Sequence, residues 1–205
     1  MNDHTQIFTQ IYEKCLWGDN ENKKYNGSSG PGSSVEFNIQ HYIPFLKKFI
    51  LDNNIKTVVD LGCGDFRCGP FIYNDLSVSY VGYDAYEKVI FHNKENFSPE
   101  KFKFHHLDFF SEKEKLVSSD MCVLKDVLQH WTMEEIYSFL DYLIESKKYK
   151  FILLCNCGDQ VVDNPPNLQR SRSLSVNFYP LKKYNPKPLM TYNNKEISVI
   201  QCQEQ

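Results

Sequence analysis

Runs of Lys and Arg are missing from this 205-residue chain, in which 23 basic residues stand against 26 acidic ones for a formal net charge of −3. Proteins that grip a long phosphate backbone normally carry a basic excess. Nucleic acid is therefore not an expected partner. No stretch approaches the roughly 18 apolar residues of a membrane span. Residues 1–10 are polar, without the basic start and apolar core of a secretory signal. Among seven cysteines there is no pair of C-x-x-C units, and the odd number argues against a disulfide framework or a structural zinc site. Free thiols in a reducing compartment fit this usage. The cytoplasm is the expected location (a host's, were the chain viral), with no membrane partner. Internal repeats are also lacking.

What is present suits one packed α/β domain. Apolar residues make up 41% and aromatics 15%, enough for a substantial core. Residues 5–16 place Ile7, Phe8, Ile11, Tyr12 and Cys15 at helical spacing. A polar, Gly/Ser-rich stretch over 18–34 reads by composition as a flexible linker or mobile loop. A second helix follows, with Ile39, Tyr42, Ile43, Leu46, Phe49 and Ile50 on one face. From residue 55 onward strands and helices alternate, with strands expected at 57–61, 80–83, 103–107, 121–124 and 151–155. Residues 133–146 form the clearest helix. Short apolar strands joined by helices imply a mostly parallel sheet covered on both faces. Residues 158–195 read as a polar, proline-broken insertion, and 196–202 as a final strand. The expected division is 1–50 for the N-terminal helices and loop, as part of one domain with a core at 51–205. The chain stops almost at the end of its last strand, as a domain of a longer polypeptide would.

In an open α/β sheet ligands bind outside the carboxyl ends of the strands, and the residues at those ends here form a series. The first strand runs into Asp60-Leu61-Gly62-Cys63-Gly64-Asp65, where Gly62 and Gly64 let the backbone approach a ligand closely. The second ends at Asp84, a carboxylate able to accept both hydroxyls of a ribose. The third ends at Asp108-Phe109, an acceptor beside a ring, suited to an adenine. A dinucleotide site needs G-x-G-x-x-G, and Arg67 stands where its third glycine belongs. A nucleoside cofactor without a pyrophosphate fits better.

With these residues in order, the segment 57–157 resembles the class I S-adenosylmethionine-dependent methyltransferases. The resemblance implies a doubly wound, seven-stranded, Rossmann-like methyltransferase sheet with an N-terminal helical lid. It also implies S-adenosylmethionine as cofactor, held by Asp60, Gly62, Cys63 and Gly64 at the methionine part, Asp84 at the ribose, and Asp108 and Phe109 at the adenine. Lys125 joins the cofactor-binding set.

Chemistry is expected after the fourth strand, in Leu124-Lys125-Asp126-Val127-Leu128-Gln129-His130-Trp131. A hydroxyl acceptor must lose a proton, and imidazole titrates near neutrality, so His130 is the expected general base. Asp126, four residues earlier, is placed to orient it or to bind substrate. The Asp126-x-x-x-His130 spacing is also similar to that of phosphoethanolamine methyltransferases, which implies Tyr12 as a partner for His130. Asp126, Asp159 and Asp163 could gather a magnesium ion, but no spacing fixes their convergence and no metal is expected.

A narrower resemblance rests on Ile11-Tyr12, Trp17-Gly18, Ser29-Gly30-Pro31-Gly32-Ser33-Ser34, Asp65-Phe66-Arg67, the 125–131 segment and Arg172-Ser173-Leu174. It resembles methyltransferases of bacterial and viral polysaccharide pathways, though Pro188-Leu189 stands where that group often has Pro-Phe. It implies sugar O-methylation, a Gly/Ser lid that excludes water, and substrate contacts from Trp17, Ser33, Arg67, Trp131, Arg170 and Arg172. The expected substrate is a sugar nucleotide or a glycan end. A small-molecule N-methyltransferase and a cofactor-binding module without chemistry stand as alternatives.

Overall fold

The computed structural model describes residues 4–20, 24–159, 161 and 172–202. Seven strands follow the sheet order β3-β2-β1-β4-β5-β7-β6, and the chain divides into two compact units at residues 116 and 117.

The first unit opens with α1 (His4–Glu13), then α2 (Val35–Asn38) and α3 (Tyr42–Asp52). The expected second helix is thus two helices. Ser34 starts the first by accepting from Phe37 N at 3.2 Å, an N-cap bond. β1 (Thr57–Leu61), α4 (Gly69–Tyr73), β2 (Ser79–Asp84), α5 (Glu87–Asn96) and β3 (Phe102–His106) complete the unit. β1 pairs with β2 and β2 with β3, both in parallel. Val58, Val59 and Leu61 are buried, as β-branched and apolar residues of a strand covered on both faces should be.

The second unit begins with β4 (Ser119–Lys125), followed by a 3-10 turn at Leu128–His130 and α6 (Met133–Glu145). A capping box fixes the start of α6: Thr132 and Glu135 satisfy each other's backbone N–H groups. Ile136, Phe139, Leu140 and Leu143 then form its fully buried stripe at helical spacing. β5 (Tyr149–Cys157) lies parallel to β4. The last two strands, β6 (Lys187–Tyr192) and β7 (Lys195–Gln201), form an antiparallel hairpin whose inner strand pairs with β5.

β6 lies within the stretch read as a polar, proline-broken insertion and completes the expected seven strands. Pro188 is admitted because β6 ends the strand order, where a missing ladder donor is tolerated, and the register shifts between Pro188 and Met190. Asn193 and Asn194, both at positive φ (41° and 62°), make the two-residue turn that favours hairpins. No helix among the described residues is long and apolar enough to cross a membrane.

Candidate cofactor site and acceptor-side residues

The residues expected to hold a cofactor in the first unit are held by a backbone lattice around Gly62–Asp65. Gly62 and Gly64 take φ of 78° and 53°, the left-handed region that glycine enters without a Cβ penalty. The carbonyl of Tyr83, in β2, accepts from both Gly62 N (2.8 Å) and Cys63 N (3.0 Å). Gly64 N donates to Asp84 Oδ2 at 2.9 Å, and Tyr86 N donates to Asp84 Oδ1 at 2.9 Å. Each Asp84 oxygen thus holds one backbone donor. An ionised carboxylate has about four acceptor sites, so both oxygens keep a lone pair for a hydroxyl. Asp84 is 7% exposed. Burial pushes its carboxyl up from 3.8 to about 6, against the pull of the two backbone bonds.

The other strand ends are also engaged. Asp60 Oδ2 accepts from the buried Tyr80 hydroxyl at 2.7 Å. The Cys63 side chain packs over Gly82, where an added Cβ would lie 2.9 Å from its sulfur. Burial pushes that thiol well above its ordinary range, so Cys63 contributes backbone and packing rather than a nucleophile. Asp108 Oδ1 accepts from Phe110 N (3.1 Å) and Ser111 N (3.2 Å), which shapes the loop after β3 and buries Phe109. Among the described residues no donor reaches Asp108 Oδ2, leaving that oxygen for an external amino group.

The Gly/Ser segment is no free linker where it is described. Ser29 Oγ accepts from Asp65 N at 2.9 Å and shares a 2.8 Å hydrogen bond with the Tyr12 hydroxyl. A Cβ on Gly64 would lie 2.4 Å from Ser29 Oγ, so the segment sits directly on the glycine loop. Ser33 Oγ donates to Ser29 O (2.8 Å), and Asn38 Nδ2 to Gly32 O and Ser34 O. Composition suggested flexibility because the stretch is mostly Gly, Ser, Asn and charged residues; the hydroxyls and the buried Tyr25 supply the anchoring instead.

α1 closes over the same strand ends. Tyr12 stacks on Tyr86 with ring centroids 4.4 Å apart, and Trp17 packs edge-on against Tyr12 at 5.7 Å. His4 lies on Phe110 at 4.7 Å. Burial, reinforced by Asp84 and Asp65, pushes the Tyr12 phenol well above its usual value, so Tyr12 keeps its proton. Arg67 Nε pairs with the buried Asp65 carboxylate at 2.8 Å. Ser29 and Tyr86 were not among the expected site residues. Ser29 acts on Asp65, 36 positions away, beyond the reach of any local pattern, whereas Tyr86 braces Asp84 only two positions before it.

In the second unit Asp126 has φ 60°, a conformation that Asp adopts more readily than most residues. Its N–H donates to Cys155 O at 2.8 Å. Lys125 Nζ holds its Oδ2 at 2.7 Å, and Lys195 Nζ holds its Oδ1. Burial alone would raise this carboxyl, but the two ammonium groups outweigh it and hold it below its ordinary range. Asp126 therefore serves as the counter-ion of two lysines, where it was expected to orient His130 or to bind substrate. The turn that follows is 3-10, so the i, i+4 stacking of an α-helix does not apply. Lys195 was not foreseen. It also lies 3.1 Å from Cys157 Sγ.

Burial lowers the His130 imidazole from 6.5 to about 4; Asp126 opposes that shift and Lys195 adds to it. The expectation of titration near neutrality is thereby corrected. Gln129 Oε1 accepts from Cys157 N at 2.8 Å, tying the 3-10 turn to the end of β5. Trp131, expected at the substrate, has no exposed surface and meets Phe139 edge-on at 5.0 Å; it is a core residue. Arg172 is buried, with its backbone N–H on Gln129 O at 3.0 Å. Arg170 and Asp163 lie outside the described residues. Among the described residues no group of three or more His, Cys, Asp or Glu is placed to hold a metal ion.

No known family profile and no curated protein sequence matches the chain. Solved structures do. A magnesium protoporphyrin IX methyltransferase from Synechocystis PCC 6803 with bound S-adenosylmethionine aligns with TM-score 0.64 and 13% identity over 97% of each chain. The methyltransferase domain of a bacterial Hen1 aligns with TM-score 0.64 and 15% identity, over 80% of this chain and 97% of that one. Human N-acetylserotonin methyltransferase, in complex with S-adenosylmethionine, aligns with TM-score 0.57 and 15% identity over 83% of this chain. The chain spans 59% of that human protein's length. The fold is that of a Rossmann-like, S-adenosylmethionine-dependent methyltransferase. The named acceptors differ widely, and fold alone does not select an acceptor.

Proposed function

We propose that this chain is an S-adenosylmethionine-dependent O-methyltransferase acting on a sugar hydroxyl, in a sugar nucleotide or at a glycan end. The observation that carries the cofactor half is the buried Asp84 carboxylate, braced by Gly64 N and Tyr86 N beside two left-handed glycines. That donor and acceptor set fits a ribose diol next to a closely approached backbone. Asp108 Oδ2 and Phe109 suit the adenine. When bound, the cofactor supplies a methyl group on a sulfonium, open to in-line displacement. The chain's residues fix the ribose, keep Tyr12 protonated over the loop, and offer His130 as proton acceptor. Arg67 and Ser33, near the glycine loop, are the substrate contacts this reading favours, together with Trp17.

The sugar assignment is supported by the likeness of the 29–34, 65–67 and 125–131 segments to polysaccharide-pathway enzymes. One observation favours an amine acceptor instead. A histidine lowered to about 4 is a weak base, and an amine asks less of it: the neutral nitrogen attacks through its own lone pair, and the ammonium formed by methylation releases its proton far more readily than a hydroxyl does.

Two experiments decide. Calorimetric titration with S-adenosylmethionine should show binding; no heat at millimolar cofactor would remove the cofactor reading. Incubation with labelled cofactor and panels of sugar nucleotides, small amines and RNA then identifies the acceptor. Label confined to an amine replaces the sugar reading, and binding without transfer to any acceptor would mark a non-catalytic module.

A further inference from the structure

The geometry points to Asn93, on α5, as a positioning residue for the cofactor loop, a role that rests on the reading of 62–65 as the S-adenosylmethionine cradle. Asn93 has no exposed surface, and its Nδ2 donates to Gly64 O at 2.8 Å.

Glycine at a left-handed φ is flanked by two peptide planes that rotate with little steric resistance. Both planes around Gly64 are pinned. The plane before it is held through Gly64 N on Asp84 Oδ2 (2.9 Å). The plane after it is held at both ends, by Asn93 on its carbonyl and by Ser29 Oγ on its N–H, that of Asp65 (2.9 Å). Asn93 is thus one of three side chains that fix the backbone facing Asp84. Rotation of the preceding plane would release the brace on the Asp84 carboxylate, and rotation of the following one would free the loop that carries that brace from Asn93 and Ser29.

The Asn93 amide shows that its donor is what the position needs. Gly64 O can only accept, so the NH2 end must face it. Oδ1 is then buried with no hydrogen-bond partner, an arrangement disfavoured in protein interiors. A leucine of similar size would fill the same space without that penalty. If packing were the sole demand, an amide is the wrong side chain for it.

The test compares Asn93→Leu and Asn93→Ala with the wild type by calorimetry with S-adenosylmethionine, thermal unfolding of the unliganded proteins, and steady-state kinetics. Loss of loop pre-organisation is expected to weaken cofactor binding roughly tenfold or more in both variants. KM for the cofactor should rise with kcat kept within about threefold. The unliganded Leu variant should melt within a few degrees of wild type, because the orphaned oxygen leaves together with the donor. Folded variants with native cofactor affinity would overturn the inference. Failure of both variants to fold would overturn it too, by making Asn93 a core residue. A wild type that binds no cofactor is a separate result: it refutes the cradle reading and takes this inference with it.

Discussion

Asp84 and Gly64, 20 positions apart, are joined by a 2.9 Å hydrogen bond from the glycine N–H to a carboxylate buried at the end of β2. One group thus shapes the loop and, in the function proposed here, presents the acceptor for a ribose. Asp84→Ala removes both functions, and the loss of charge-assisted bonds to two hydroxyls should weaken S-adenosylmethionine binding by roughly 100-fold. Asp84→Asn keeps an acceptor and should lose less. Calorimetry on folded variants measures both, and native affinity in Asp84→Ala would remove Asp84 as the ribose acceptor.

The same carboxyl sets a pH dependence. Burial raises it from 3.8 to about 6 in the folded protein. For stability the sign is that of any raised group: its favourable contribution is full below the unfolded value and is lost as pH rises through about 6. For cofactor binding the sign reverses, because only the ionised form accepts two hydroxyls. Affinity should be constant above about pH 7 and fall about tenfold per unit below 6. Titrations across that window check it, and Asp84→Asn should flatten the dependence. A wild-type affinity unchanged down to about pH 5 would contradict the assignment.

Much of the proposed cofactor site was legible in the sequence because its elements are local. Asp60, Gly62, Gly64, Asp84 and Asp108 each mark the end of an apolar strand, and strand ends follow from periodicity. Ser29, Asn93 and Lys195 were not readable as site residues, since each acts on a partner 29 to 69 positions away. Polarity misled twice. The Gly/Ser segment looked like linker, yet its hydroxyls pin it to the glycine loop. Pro186 and Pro188 hid β6, although Asn193-Asn194 is a hairpin turn signal that could have revealed it. His130 was singled out as a candidate base by position, but its basicity depends on burial, which sequence does not show.

Lys195 and Asp126 join β7 to the loop after β4 through a charge pair with little exposed surface. Removing one partner of such a pair leaves a charge without its counter-ion, at a cost of about 3 kcal/mol. Lys125 remains beside Asp126 and should soften that cost. Lys195→Met should therefore lower the denaturant midpoint clearly, whereas Asp126→Asn, which strips both lysines of their counter-ion, should lower it further. Asparagine also tolerates the left-handed φ of position 126. A single variant as stable as wild type would show that the pair contributes nothing.

His130 carries the bet on chemistry, and its lowered value of about 4 makes separable demands. The folded state keeps the imidazole neutral while the unfolded chain takes up a proton near 6.5, so stability should fall as pH drops from about 6.5 towards 4. His130→Asn should remove that part of the acid lability. His130→Ala should lower turnover by roughly 10²–10⁴ with cofactor affinity largely kept. At saturating cofactor, the acid limb of kcat/KM for the acceptor should lie near 4, because that profile reports the free base. A limb near 6.5 would place the imidazole in a more solvated setting than this structure gives it, and an unchanged rate in His130→Ala would remove it as the base.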